Sequence, residues 1–139
     1  MRTITLFIIH CSAVRPSQQS SAQMITQWHK QQGWLTIGYH YVVRRDGTIE
    51  NGRPISQVGA HCQGHNQHSI GICYEGGLDA KGKPSDTRTE QQKKSIRQLI
   101  KRLKKDYPKA LIVGHRDLNP MKACPCYNVI PEYKDLQPF

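Results

Sequence analysis

The chain has 139 residues, with 20 Lys and Arg against 10 Asp and Glu and a hydrophobic fraction of 37%. That length supports one domain over residues 1–139 with a single core, and 22% charged residues is too ordinary a figure for a disordered chain. No apolar run approaches the roughly 20 residues of a membrane span, and the net charge of +10 favours an anionic partner without selecting a fold.

The opening stretch TITLFIIH is rich in β-branched residues and reads as a buried strand ending at His10. Arg2 followed by an apolar run has the outline of a secretion signal. The run is only about seven residues long, however, and His10 and Cys11 interrupt it. The chain is therefore expected to be made and folded in the cytoplasm, without a signal peptide or membrane insertion. CSAVRPSQQ reads as a loop. Ser20 with Gln23 has the spacing of a capping box and Gly33 supplies a stop, which frames a helix over 21–32 with Met24, Ile25 and Trp28 on one face.

Asp46-Gly47 between two β-type runs predicts a hairpin closed by a type I′ turn. SIGICYE predicts a strand over 69–75, and GGLDAKGKPSD an exposed loop. Thr87 with Glu90 forms a second capping-box pattern, opening a long helix. Ile96, Leu99, Ile100, Leu103 and Tyr107 make its apolar stripe. Lys93, Lys94, Arg97, Lys101, Lys104 and Lys105 occupy the other side, which reads as a solvated face. ALIVGH is the last strand and ends at His115. This order of elements predicts an α/β fold of the mixed α+β kind, with one central mixed β-sheet flanked by helices.

Five scattered cysteines, an odd number, argue against a disulfide framework. Cys73 lies inside an apolar run and reads as a small buried hydrophobe, as do Cys11 and Cys62. Two apolar strands each end in a histidine, His10 and His115. If those strands are neighbours, the two imidazoles converge at one sheet edge, and Cys124 can return to them through the loop RDLNPMKA. Two imidazoles and a thiolate suit zinc, and three protein ligands leave a position for water. The competing readings are hydrogen-bonded structural histidines, or a closed four-ligand site that uses both Cys124 and Cys126. The chain lacks the paired Cys-x-x-Cys knuckles that usually accompany the latter. Composition and spacing leave this choice open.

The segments FIIHCSAVRPS, QWHKQQGW, IGYHYVVRRDGTIENGRP, VGAHCQGHNQHSIGI and GHRDLNPMKACP together resemble the zinc-dependent N-acetylmuramoyl-L-alanine amidases. These form the type 2 amidase and peptidoglycan-recognition-protein superfamily, and the likeness is strongest to the amidase-type lysozymes of tailed phages. The motifs stand in family order across residues 4–130. The resemblance implies one Zn2+ held by His10, His115 and Cys124, catalytic roles for Tyr39 and Lys122, and a substrate-binding position for His61 on the groove. Cys126 is left as an extra thiol and an alternative ligand.

The implied reaction is hydrolysis of the amide between N-acetylmuramic acid and L-alanine in peptidoglycan. Some branches carry a glutamate where this chain has Cys73, which leaves the proton acceptor open; Glu75, two residues on, is the substitute to test. The phage pattern further implies a lysis role, with the enzyme reaching the wall through a membrane hole made by a holin; a monomer is the default expectation for a chain of this size. Two other classes compete. A binding module without catalysis usually lacks the third ligand, which is present here as Cys124. No nucleic acid is expected as a partner, because the basic residues are not interleaved with aromatics and no recognised binding motif occurs.

Overall fold

The computed structural model describes residues 2–138 and contains a five-stranded sheet with helices on both faces. In chain order the elements are β1 (Leu6–Cys11), α1 (Ala22–Gln31), β2 (Tyr41–Val43), β3 (Ile49–Asn51), β4 (Ser69–Tyr74), α2 (Glu90–Asp106), β5 (Leu111–Gly114), α3 (His115–Leu118) and α4 (Val129–Glu132). The strand order is β3-β2-β4-β1-β5. β1 runs parallel to β4 and β5, β2 runs parallel to β4, and only the edge strand β3 is antiparallel. The sheet is therefore mixed, as the alternation of elements predicts, and β1 and β5 are neighbours.

β1 and β4 are covered on both faces, which explains their continuous apolar sequences. On one face Phe7 and Ile9 join Ile70, Ile72, Tyr74 and Ile112 under the α2 stripe of Ile96, Leu99, Ile100 and Leu103. On the other face Val42 and Cys73 pack with Ile25 of α1, while Ile8 and Val113 meet Cys62. Cys11, Cys62 and Cys73 are all buried, as expected of small hydrophobes.

Several boundaries differ from the sequence expectation for physical reasons. The N-cap of α1 is Ser21, whose side chain accepts from the Met24 amide, while Ser20 bonds the Ser12 hydroxyl instead. The capping box of α2 is Thr89 with Gln92 rather than Thr87 with Glu90. Gln92 wins because its amide nitrogen also donates to the Val43 and Glu75 carbonyls, tying the helix to two strands. Thr87 receives the Gly77 amide instead.

The hairpin between β2 and β3 has a three-residue loop rather than a type I′ turn. Gly47 donates to the Arg44 carbonyl and has φ +89°, and Arg44 donates to Thr48. That is a turn followed by a left-handed glycine, with Asp46 Oδ1 accepting from the Thr48 amide.

Candidate active site

The alternation of β1 decides where His10 points. Phe7, Ile9 and Cys11 face α2, so Ile8 and His10 face the opposite side. His10 is almost completely buried there. β5 lies alongside, and its chain passes from Gly114 directly into α3, so that His115 opens a helix instead of closing a strand. The Gly114 amide donates to Asp117 Oδ2 at 2.7 Å, which anchors this turn. The His10 and His115 rings sit 4.6 Å apart between centroids.

Cys124 arrives from the following loop. Its carbonyl accepts from the Arg116 amide at 2.8 Å, and its sulfur accepts from the Cys11 amide at 3.0 Å. A Cβ on Gly114 would stand 2.8 Å from Pro125 Cδ and 3.0 Å from Val129 Cγ2. Glycine at the end of β5 thus lets the cysteine loop lie close against the strand. Donor atoms of His10, His115 and Cys124 come within 4.8 Å of one another, a grouping that can hold a metal ion. Cys126 lies outside this grouping and turns its thiol to the Gly77 carbonyl at 3.3 Å.

The imidazoles here are neutral. Burial holds His10 well below its ordinary range, and neighbouring His61 and His115 lower it further. Partial burial lowers His115, aided by the positive charge of Lys122. Burial, with His40 and His115 nearby, brings His61 down to about 3. His10 Nε2 lies 2.8 Å from His61 Nδ1.

These groups border a cleft of about 430 Å³ lined by residues that include His29, Trp34, Tyr39, His61, His115 and Lys122. Among the described residues, no carboxylate lines it. The Tyr39 ring packs tilted against His10, 5.1 Å between centroids, and burial together with the nearby Cys73, Cys124 and Cys11 thiols raises its hydroxyl well above the usual tyrosine range. Lys122 is exposed on the rim. His61 borders the cleft but offers it little surface, being 9% exposed.

Two lining residues escape a reading of single motifs. Trp34 and His29 pack with their rings tilted and centroids 4.4 Å apart, and His29 Nδ1 accepts the Gly38 amide. Their sequence signal is the segment QWHKQQGW, which brackets both.

Glu75 is not at this cleft. Its carboxylate accepts from the Ser20 and Arg45 amides and from Arg44 Nε, in a separate hollow with Gln19 and Thr48. Burial alone would raise its pKa, but these donors outweigh it and hold the group below the usual carboxylate value. Cys73, wholly buried, has a thiol pushed well above its ordinary range by burial and the nearby Cys11 thiol. Neither residue is placed to take a proton from substrate or water.

The fold and this site define an amidase-type domain. The model of the family described as N-acetylmuramoyl-L-alanine amidase (Amidase_2) matches residues 1–127, and the chain belongs to that family. It is 46% identical over 123 residues to an endolysin of Enterobacteria phage K11, covering 88% of this chain and 81% of the endolysin. Among solved structures it superimposes on the N-acetylmuramoyl-L-alanine amidase LysC from Clostridium intestinale URNW with a TM-score of 0.79 at 30% identity. That match covers 97% of this chain and 83% of LysC. Drosophila PGRP-LB gives a TM-score of 0.75 at 25% identity, covering 90% of this chain and 76% of the other.

Proposed function

We propose that the protein is a zinc-dependent amidase that hydrolyses the bond between N-acetylmuramic acid and L-alanine in peptidoglycan, acting as a phage-type endolysin. The observation that carries this reading is the meeting of His10, His115 and Cys124 beside a cleft lined by Tyr39 and Lys122, in a chain of the amidase family.

The donor set suits zinc. Two neutral imidazoles and a sulfur are borderline-soft ligands. Their donor atoms lie within 4.8 Å of one another, against roughly 3.3–3.6 Å between ligand atoms in a tetrahedral site with two nitrogens and a sulfur, so about 1 Å of closure would complete the fit. The amide donated to the Cys124 sulfur fixes its position beside the two imidazoles. Three protein ligands are the complement of a catalytic site rather than a closed structural one. When bound, zinc supplies a Lewis acid that acidifies water and polarises a carbonyl.

The side chains around the triad supply the rest. The Lys122 ammonium brings positive charge to the place where an amide carbonyl oxygen becomes an oxyanion, an electrostatic contribution that gains strength away from bulk water. Tyr39 keeps its proton at neutral pH and donates a hydrogen bond to the tetrahedral carbon's oxygen, or relays to the leaving amine the proton that the attacking water gives up. Trp34 and His29 offer aromatic surface on the cleft wall for the glycan or stem peptide. The net charge of +10 steers the enzyme toward an anionic wall, an effect that added salt screens.

The test uses the purified protein on peptidoglycan, with a chelator and with zinc restored. New L-alanine amino termini that vanish with chelator and return with zinc support the reading. Release of reducing sugar in their place overturns the bond assignment, and full activity in chelator overturns the metal.

A further inference from the structure

His61 is built into the sheet with more care than a groove-lining residue needs. Its ring lies flat on β4, at Gly71. A Cβ there would stand 2.7–2.8 Å from three ring atoms, and one on Gly59 would stand 2.7 Å from ring atom Cδ2. Two glycines therefore open the slot that the imidazole fills. The loop holding it is pinned as well, because Asn66 Oδ1 accepts from both the His61 and Cys62 amides at 2.9 Å.

The slot fixes both ring nitrogens. His61 Nδ1 lies 2.8 Å from His10 Nε2, and His61 Nε2 lies 3.3 Å from the hydroxyl of buried Ser69. His10 has two ring nitrogens, and this contact commits one of them. A neutral imidazole that gives a lone pair to a metal through Nδ1 must carry its proton on Nε2. That proton needs an acceptor, and in a buried setting an unmet donor is costly. His61 Nδ1 is the acceptor in place, with its own proton on Nε2 toward Ser69.

Resting on the reading of His10, His115 and Cys124 as a zinc site, we propose that His61 is a positioning residue of that site. It accepts the His10 Nε2 proton and so holds His10 in the tautomer and orientation that present Nδ1 to the metal. This differs from a role in binding substrate. Outer partners of ligating histidines typically contribute 10- to 100-fold in metal affinity.

The experiment titrates zinc into the metal-free full-length chain against a chromogenic chelator, for wild type, His61→Leu and His61→Asn. Asparagine carries an amide oxygen where Nδ1 stood and can accept the same proton. The expected result is one zinc per chain in all three, a 10- to 100-fold weaker affinity in His61→Leu, and an affinity within a few-fold of wild type in His61→Asn. Nitrogen chemical shifts of His10 in the metal-free proteins supply a readout that simple loosening of the fold would not move. Wild type and His61→Asn should show the proton on Nε2, while His61→Leu should show mixed tautomers. Equal affinity in wild type and His61→Leu, or equal weakening in both variants with unchanged His10 shifts, would overturn the proposal. Wild type that binds no zinc would remove the zinc reading itself, an outcome distinct from either.

Discussion

The amide of Cys11 donates to the sulfur of Cys124 at 3.0 Å, so the strand that carries His10 also braces the thiol beside it. Cys126, two residues on, lies outside the metal grouping and turns its thiol to the Gly77 carbonyl. Cys124→Ser is therefore expected to lower zinc affinity by at least about a hundredfold and to abolish amide hydrolysis, since a serine hydroxyl does not ionise to replace the thiolate. Cys126→Ser should keep both. Metal content after dialysis, together with release of L-alanine amino termini, checks this pair, and the reverse pattern would move the ligand to Cys126.

Tyr39 and Lys122 border the cleft outside the metal grouping. Their loss should separate catalysis from metal binding. Tyr39→Phe and Lys122→Met are each expected to reduce kcat by about 10²–10³-fold, the scale for losing one donor or charge at a developing oxyanion. Zinc stoichiometry should stay at one. Loss of zinc in Lys122→Met would show that the lysine serves the fold and not the reaction.

The sheet and long helices were legible because their signals are local. β-branched runs marked β1, β4 and β5, and a single apolar stripe marked α2. The two histidines at strand ends pointed to a shared edge, and β1 and β5 are indeed adjacent. Less was legible where tertiary contacts override spacing. Thr87 and Thr89 both suit an N-cap in sequence. The choice between them rests on Gln92 reaching the Val43 and Glu75 carbonyls, contacts that span 49 and 17 residues. The same holds for His61, whose bond to His10 crosses 51 residues and leaves no trace in local pattern. Glu75 stands two residues past Cys73, just beyond the end of β4, and strand parity alone offered it as a substitute proton acceptor. Only the donors from Ser20, Arg44 and Arg45 reveal that it is already committed.

That commitment makes Glu75 a stability residue. Its side chain is 3% exposed and pairs with Arg44 at 3.0 Å. Glu75→Gln removes the charge while keeping the shape, leaving Arg44 with a weaker acceptor. A loss of about 2 kcal/mol in urea-unfolding free energy is expected, below the 3–5 kcal/mol seen when a buried pair is broken outright. Specific activity of the folded fraction at neutral pH should stay within about twofold of wild type. A drop of 10²-fold or more without unfolding would return Glu75 to the list of bases.

His40 gives the fold an acid-sensitive element. It is buried, accepts the Gly71 amide on Nδ1 at 3.0 Å and donates from Nε2 to the Gln57 carbonyl at 2.9 Å. The groups facing it are Arg2, whose guanidinium lies 3.2 Å from Nε2, Arg53 and the His61 ring. Burial lowers its pKa to about 4; the Gln57 bond opposes that shift and the two arginines add to it. The unfolded chain, with His near 6.5, therefore binds more protons than the folded one between these values. The contribution is fully present above about pH 6.5 and is lost as pH falls toward 4, by up to about 3 kcal/mol from this group. Urea melts from pH 7.5 to 4 should show that decline. A His40→Gln variant, although less stable at pH 7.5, should show a shallower one. An unchanged slope in the variant would assign the acid sensitivity elsewhere.

Gly71 offers a way to disturb His61 without touching its chemistry. The residue lies in the middle of β4, in register with Ile8 of β1, where a glycine is otherwise unfavourable to a strand. Its reason is steric, since a methyl group would meet the His61 ring at 2.7 Å in a wall with no slack. Gly71→Ala should therefore push the imidazole off its seat. The cost expected is about 1–3 kcal/mol of stability, typical of overpacking a core. Zinc affinity should fall toward that of His61→Leu, and the Gly71→Ala, His61→Leu double variant should bind no more weakly than His61→Leu alone, because the acceptor that the methyl would displace is then already gone. Additive losses in the double variant would mean that Gly71 acts through the backbone pairing of β4 and not through the histidine.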